Sequence, residues 1–126
     1  MTRLVTFVDI DDAAASARRM SVSARHEAVL TNGRHVLLLN DRGWSASGPP
    51  DIWALTSVAD IVATARVVVG PDEPGDGRSH EDMEAGHWAQ LTEVLRQHGI
   101  AVDARQLQRR PHGVALSRRL FARVHR

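Results

Sequence analysis

The spacing of apolar positions changes partway along the chain. The first 50 residues hold short runs rich in β-branched residues, which are typical of strands, beginning with residues 3 to 9. The alanine-rich segment DAAASARRM, capped by Asp11 or Asp12, predicts a short helix after that strand. From residue 57 onward, apolar residues recur at intervals of three and four, which is the period of a helix. The pattern therefore predicts strands first and helices afterwards.

A hairpin is predicted where two apolar runs flank Asn32-Gly33, because this dipeptide suits the two positive φ angles of a type I′ turn. The register that such a turn sets puts His26 and His35 on the same face of the sheet. Residues 41 to 43, Asp-Arg-Gly, predict a second turn into a third strand at residues 44 to 47. Together these segments predict a three-strand antiparallel meander.

Polar capping residues mark the helices of the second half. Capping-box patterns occur at Ser57 with Asp60, Ser79 with Asp82, and Asp103 with Gln106, and Ser117 begins a last helical segment. The sequence thus predicts an α+β fold: a mostly antiparallel sheet, a β-α-β-β-β meander, followed by helices packed on one face. A chain of 126 residues is expected to form a single domain over residues 1 to 126, with a basic helical segment at about 101 to 126.

Composition narrows the chemistry that is open to the chain. There is no cysteine, which excludes disulfides, thiolate nucleophiles and cysteine zinc sites. The amino-terminal segment lacks the features of a signal peptide, and no apolar run approaches the roughly 18 residues of a membrane span, so a cytoplasmic protein is expected. The sequence also lacks a serine-nucleophile motif, a phosphate-binding loop and a dinucleotide glycine loop.

Charge is distributed unevenly along the chain. The net charge is +1, yet residues 101 to 126 carry +6 and the first hundred residues carry −5. Six of the acids lie between residues 71 and 84. This division predicts that the basic end docks on the acidic segment, within one chain or across a dimer, or that it binds an acidic partner.

Two sets of residues are candidates for binding a macromolecule. Arg119, Arg123 and Arg126 share one face of the last helix, where they are candidates to bind nucleic-acid phosphates. No aromatic residues interleave with them, which weakens that interpretation. Trp44 and Trp53 are candidates because exposed tryptophans often mark interaction surfaces.

The helix predicted at residues 80 to 98 holds the most distinctive chemistry. At about 100° per residue, His80, Glu84 and His87 fall on the face that is apolar in the second half of the helix. Either the first turns project beyond the core and are solvated, or the three side chains line a cleft in which Glu84 orients His87 as an acid or base. A metal site is not predicted, because His80 and His87 lie about 10.5 Å apart along the helix axis.

The function predicted from these patterns is protein binding. The chain is interpreted as a small regulatory or interaction module, immunity-like or adaptor-like, that binds a protein partner or forms a homodimer. The alternative is a small enzyme or ligand-binding protein that uses His87, Glu84 and His80. A second alternative is nucleic-acid binding through the carboxy-terminal arginines. No cofactor, metal ion or membrane is predicted for any of these functions.

Overall fold

Four strands and five helices make up the part of the chain that the computed structural model describes, residues 3–75 and 77–125. The strands are β1 (Arg3–Ile10), β2 (Arg19–Val29), β3 (His35–Ser47) and β4 (His112–Leu116). The helices are α1 (Ile52–Leu55), α2 (Val58–Val68), α3 (His80–Gln97), α4 (Ala104–Gln108) and α5 (Arg118–Arg123). Within the described residues, no helix combines the length and the apolar character that a membrane span requires.

The strands form one mixed sheet in the order β3-β2-β1-β4. β1, β2 and β3 pair antiparallel, whereas β4 pairs parallel to β1, so the sheet is mostly antiparallel as predicted, but the predicted three-strand meander is confirmed only for its first hairpin. A parallel neighbour needs a long crossover, and the chain makes that crossover through the helices between β3 and β4. The α+β class is confirmed. The sequence did not predict β4, because its five residues lie between Pro111 and Ser117, both of which signal helix boundaries.

The helix predicted around residues 12 to 20 is wrong. Residues 12 to 14 form a single turn, in which the amides of Ala14 and Ala15 donate to the carbonyl oxygen of Asp11 at 3.2 and 2.9 Å. β2 already begins at Arg19, and the side chain of Met20 is buried in the core. Burial of this apolar side chain in the sheet outweighs the helix propensity of the preceding alanines.

β3 is one continuous strand, so the turn predicted at residues 41 to 43 is also wrong. Two irregularities in the pairing with β2 are typical of β-bulges. The partners around them are Glu27 with Leu37, His26 with Leu39, and Ala24 with Arg42. Glycine at position 43 allows β3 to lie close to β2, since a Cβ there would be 2.5 Å from the carbonyl oxygen of Val22.

The hairpin between β2 and β3 is confirmed, but its turn is not type I′. Gly33 has a φ of +84°, whereas no non-glycine residue in the described part of the chain has a positive φ, Asn32 included. The amide of Gly33 donates to the carbonyl oxygen of Leu30 at 3.0 Å, which is typical of a type I turn followed by a bulge. The resulting register puts His26 and His35 on opposite faces of the sheet.

The core lies on one face of the sheet, called here the helix-covered face. β1 contributes its alternate residues to this face: Leu4, Thr6, Val8 and Ile10. One cluster of buried residues joins this face to α3 and α4 through Leu91, Leu95 and Leu107. A second cluster joins it to α1, α2 and α5 through Trp53, Ile61 and Leu120. The other side, called the outer face, carries Val5, Phe7 and Asp9 of β1.

The predicted helix starts are confirmed at the capping residues. The side chains of Ser57, Ser79, Asp103 and Ser117 each accept a hydrogen bond from a backbone amide three residues later. The reciprocal bond of a capping box also forms at Ser79 and at Asp103. These caps fix where α3 begins, and they therefore fix which of its side chains face the sheet.

Candidate functional site around His87

His87 lies on α3, one turn before Leu91, and its side chain faces the sheet. Leu91 and Leu95 are fully buried. His87 is 8% exposed and lies on the same face of α3, nearer its amino terminus. The ring of Trp88 lies edge-on to the imidazole, with ring centroids 5.3 Å apart. His87 is thus held at the boundary between the apolar core and the polar first turns of the helix.

A cavity of about 220 Å³ lies beside His87. Its lining combines the first half of α3 with β3 and the loop that follows α2. The lining residues are Arg42, Asp72, Arg78, Asp82, Met83, Gly86, His87 and Gln90. Four of these residues are charged and only one is a large apolar residue, which is an unusual lining for a pocket next to a core.

Arg42 lies on the helix-covered face of β3 and reaches the cavity from there. The strand partner of Arg42 is Ala24, which is buried and has a small side chain, so space remains for the guanidinium. Nη1 of Arg42 donates to the carboxylate of Asp72 at 2.6 Å. The Arg42 side chain is 20% exposed, whereas that of Asp72 is 67% exposed, so this ion pair lies at the mouth of the cavity, where solvent screens it.

The imidazole of His87 has an unsatisfied atom. Among the described residues, its Nε2 is buried and has no hydrogen-bond partner. Nearly all buried polar atoms in proteins are partnered, and an unpartnered one costs about 1–3 kcal/mol. Burial lowers the pKa of His87, the Arg42 guanidinium lowers it further, and the Asp72 carboxylate partly opposes them. The ring is therefore neutral near pH 7, and its Nε2 can donate or accept a hydrogen bond.

The structure does not gather the three residues that the sequence placed in one cleft. Oε1 of Glu84 accepts a hydrogen bond from Nε2 of Gln108 at 2.6 Å, so this carboxylate is engaged with α4. His80 is exposed at the start of α3. Neither Glu84 nor His80 lines the cavity, whereas His87 does. The catalytic role suggested for these residues stays a prediction.

A second buried polar group, on the helix-covered face, was missed by sequence reasoning. The hydroxyl of Thr6 lies 3.0 Å from Nδ1 of His26 and 2.7 Å from Nε2 of His112. The two rings meet edge-on with centroids 4.9 Å apart. Burial lowers the pKa of His26 to about 3, with further contributions from His112 and His87. No local sequence pattern predicts this group, because His112 joins it only when β4 pairs with β1.

Two of the carboxy-terminal arginines, Arg119 and Arg123, contact other residues of the same chain. Arg119 binds Asp9 at 2.9 Å and Asp12 at 2.7 Å, and its hydrogen bonds lower the pKa of Asp9 to about 2. The guanidinium of Arg123 lies 4.1 Å from the ring centroid of Trp53. Arg126 lies outside the described residues. The basic end therefore docks partly on the end of β1 through Arg119. The predicted docking site was the acidic segment at residues 71 to 84, in which Asp72 binds Arg42.

The two tryptophans proposed for binding pack within the fold. Trp53 is 4% exposed, and its Nε1 donates to the carbonyl oxygen of Ser16 at 2.7 Å. Trp44 is partly buried and packs against both core clusters. Their role in binding a partner stays a prediction, as does that of the arginines. Within the described residues, no group of three or more metal-ligating side chains is placed to hold an ion.

Comparison with known proteins gives a partial similarity and no fold relative. A stretch of 72 residues, 56% of this chain, is 39% identical to nicotianamine aminotransferase A from Hordeum vulgare. The chain covers only 14% of the length of that protein. No protein-family model matches the chain, and no solved structure matches it either.

Proposed function

We propose that the protein binds a small molecule in the cavity around His87. The observation that carries the proposal is the buried, unpartnered Nε2 of His87 beside a cavity of about 220 Å³. A ligand that bonds to this nitrogen removes the cost of leaving it unpartnered and stabilises the folded state. The volume is below the range of drug-sized pockets, which favours a ligand of few heavy atoms.

The test is a nuclear magnetic resonance titration of protein labelled with ¹⁵N-histidine, using a library of small polar molecules. Ligands that enter the cavity are expected to shift the ring nitrogens of His87. The ring of His98 serves as an internal reference, because it is exposed and lies 2.9 Å from the carbonyl oxygen of Val94 at the far end of α3. Its signals are expected to stay unchanged.

Two matched variants on the same helix separate the site from general effects. His87→Leu removes both ring nitrogens at similar volume and is expected to weaken binding, measured by isothermal titration calorimetry, by about tenfold or more. His80→Leu makes the same change at an exposed position and is expected to bind as the unaltered chain does. If no molecule shifts the His87 ring, or if His87→Leu binds equally well, the proposal is wrong.

A second candidate function is binding of a protein partner, including a second copy, through the outer face. This candidate is supported by a cluster of side chains there, Phe7, Arg25, Glu27 and His35. Nδ1 of His35 lies 2.8 Å from the Glu27 carboxylate, and the Arg25 guanidinium lies 5.2 Å from the Phe7 centroid. Leu37 on the same face is 42% exposed, so a partner could contact this apolar side chain as well as the neighbouring charged groups.

Sedimentation equilibrium tests the self-association form of this second candidate. Leu37→Asp is expected to weaken any dimer, because it places a charge in the apolar part of the outer face. Leu55→Asp is the matched control, since Leu55 is 64% exposed on α1, away from that face. A chain that stays monomeric at every concentration, or equal effects of both variants, would exclude self-association through this face.

Two other functions are not proposed. We do not infer aminotransferase activity from the similarity to nicotianamine aminotransferase A. The sequence has no lysine, so it cannot itself form the Schiff base by which a lysine holds pyridoxal phosphate. Nucleic-acid binding stays a prediction, and the contacts of Arg119 and Arg123 within the chain give it no support.

A further inference from the structure

We propose that the ligand of the cavity around His87 is a small oxyanion, a carboxylate or a phosphate, held by Arg78 and the imidazole of His87 beside the ion pair of Arg42 with Asp72. This inference rests on the proposed function and narrows it to one class of ligand. The cavity is lined by two arginines and two aspartates, so formal charge alone does not decide the class. What decides it is which of these four groups already have partners within the chain.

Both carboxylates at the cavity are already engaged. Asp72 accepts a hydrogen bond from Nη1 of Arg42 at 2.6 Å. Asp82 accepts one from the amide of Ser79 at 3.4 Å, and it lies in the first turn of α3, where the helix dipole stabilises its negative charge. Both carboxylates thus have a partner within the chain.

Hydrogen-bond donors at the cavity outnumber the acceptors that remain. Within residues 3–75 and 77–125, Arg78 forms no ion pair with a carboxylate. The side-chain amide of Gln90 lines the same cavity. The neutral ring of His87 adds a donor when Nε2 carries its proton. A guanidinium fork matches the paired oxygens of a carboxylate or phosphate, so this surplus of donors favours an oxyanion.

The test is a titration at fixed, low ionic strength with acetate, inorganic phosphate and acetamide as separate probes. The signals of the His87 ring report binding in each arm. Acetate or phosphate is expected to shift them, and the two arms distinguish a planar carboxylate from a tetrahedral phosphate. Acetamide has nearly the shape of acetate without its charge, and it is expected to bind about tenfold more weakly or worse.

Arg78→Gln removes an exposed charge at the cavity and is expected to leave the fold intact. It should weaken binding of the oxyanion by about tenfold and leave acetamide unaffected. Arg96→Gln is the matched control, because it removes the same charge near the far end of α3, where Arg96 pairs with Glu93 at 2.7 Å. Equal binding of acetamide and acetate, or no effect of Arg78→Gln, overturns the oxyanion class but leaves a ligand site. The absence of any response at His87, to charged and neutral molecules alike, overturns both proposals.

Discussion

Two sets of histidines on the helix-covered face, the buried His26 with the partly buried His112 and the buried His87, differ in their hydrogen bonding. His26 and His112 share the hydroxyl of Thr6, so this group is satisfied within the chain. His87 keeps a buried Nε2 without a partner among the described residues. Burial lowers the pKa of all three histidines. Burial and a shifted pKa therefore do not distinguish a structural histidine from a candidate site here, whereas an unpartnered atom beside a cavity does.

The largest expected effect comes from breaking the satisfied group. Thr6→Val keeps the shape of the side chain but removes the hydroxyl, which leaves two imidazole nitrogens without their partner. We expect a loss of about 2–4 kcal/mol in the free energy of unfolding, measured by urea denaturation. Thr6→Ser retains the hydroxyl and should lose about 1 kcal/mol for the buried methyl group. Equal losses in the two variants would show that the hydrogen bonds contribute little.

Acid is expected to destabilise the protein through the same histidines. Each has a lower pKa in the folded state than in the unfolded chain, so the unfolded chain takes up more protons below pH 6.5. The free energy of unfolding should therefore fall as the pH drops from about 6.5 towards 4, by up to about 1.4 kcal/mol per pH unit for each histidine. For His26, this loss continues down to its folded pKa of about 3.

Urea denaturation at several pH values between 7.5 and 4 measures this dependence. His87→Leu removes one of the three contributions and should make the slope shallower. Stability that stays flat across this range would show that the histidines are already solvated in the folded chain.

A smaller effect is expected when the unpartnered group itself is removed. His87→Leu deletes a nitrogen that no described residue satisfies, so the ligand-free protein should change by no more than about 1 kcal/mol, in the stabilising direction. Thermal and urea denaturation without ligand measure this change. A loss comparable to that of Thr6→Val would mean that His87 has a structural bond, and the contrast between the two sets would disappear.

The smallest effect is expected at the exposed histidine of the same helix. His80→Ala should change the free energy of unfolding by less than about 0.5 kcal/mol, because the side chain is exposed. The same denaturation measurements check it. A larger change would indicate that the start of α3 has contacts beyond its cap at Ser79.

The helices could be predicted from the sequence because their signals are local. Ser79 and Asp82 fix the start of α3, and the helical period from that start puts His87 on the buried side. The partners of His87 could not be predicted. Arg42 reaches the cavity from within β3, whereas the sequence predicted a turn there, because Asp-Arg-Gly at residues 41 to 43 has the composition of a turn.

The Thr6 group lay beyond local patterns for a different reason. Thr6 and His26 meet through the antiparallel pairing of β1 with β2, which the hairpin prediction did not include. His112 joins them only because β4 returns beside β1 after a long crossover. Contacts between strands that are distant in sequence do not produce a periodic pattern of residues within either strand, so they could not be predicted from local sequence.

The irregular pairing in β3 also determines where this strand tolerates a change of length. Between the pair Leu39–His26 and the pair Arg42–Ala24, β3 advances by three residues whereas β2 advances by two. Deleting Asn40 would therefore leave Arg42 opposite Ala24 and would remove one of the two irregularities in the pairing. A deletion farther along β3, at Ser45, would instead move the residues after it to the other face. Insertions and deletions among homologues are thus expected at residues 40 and 41, where they leave the arginine of the cavity in place.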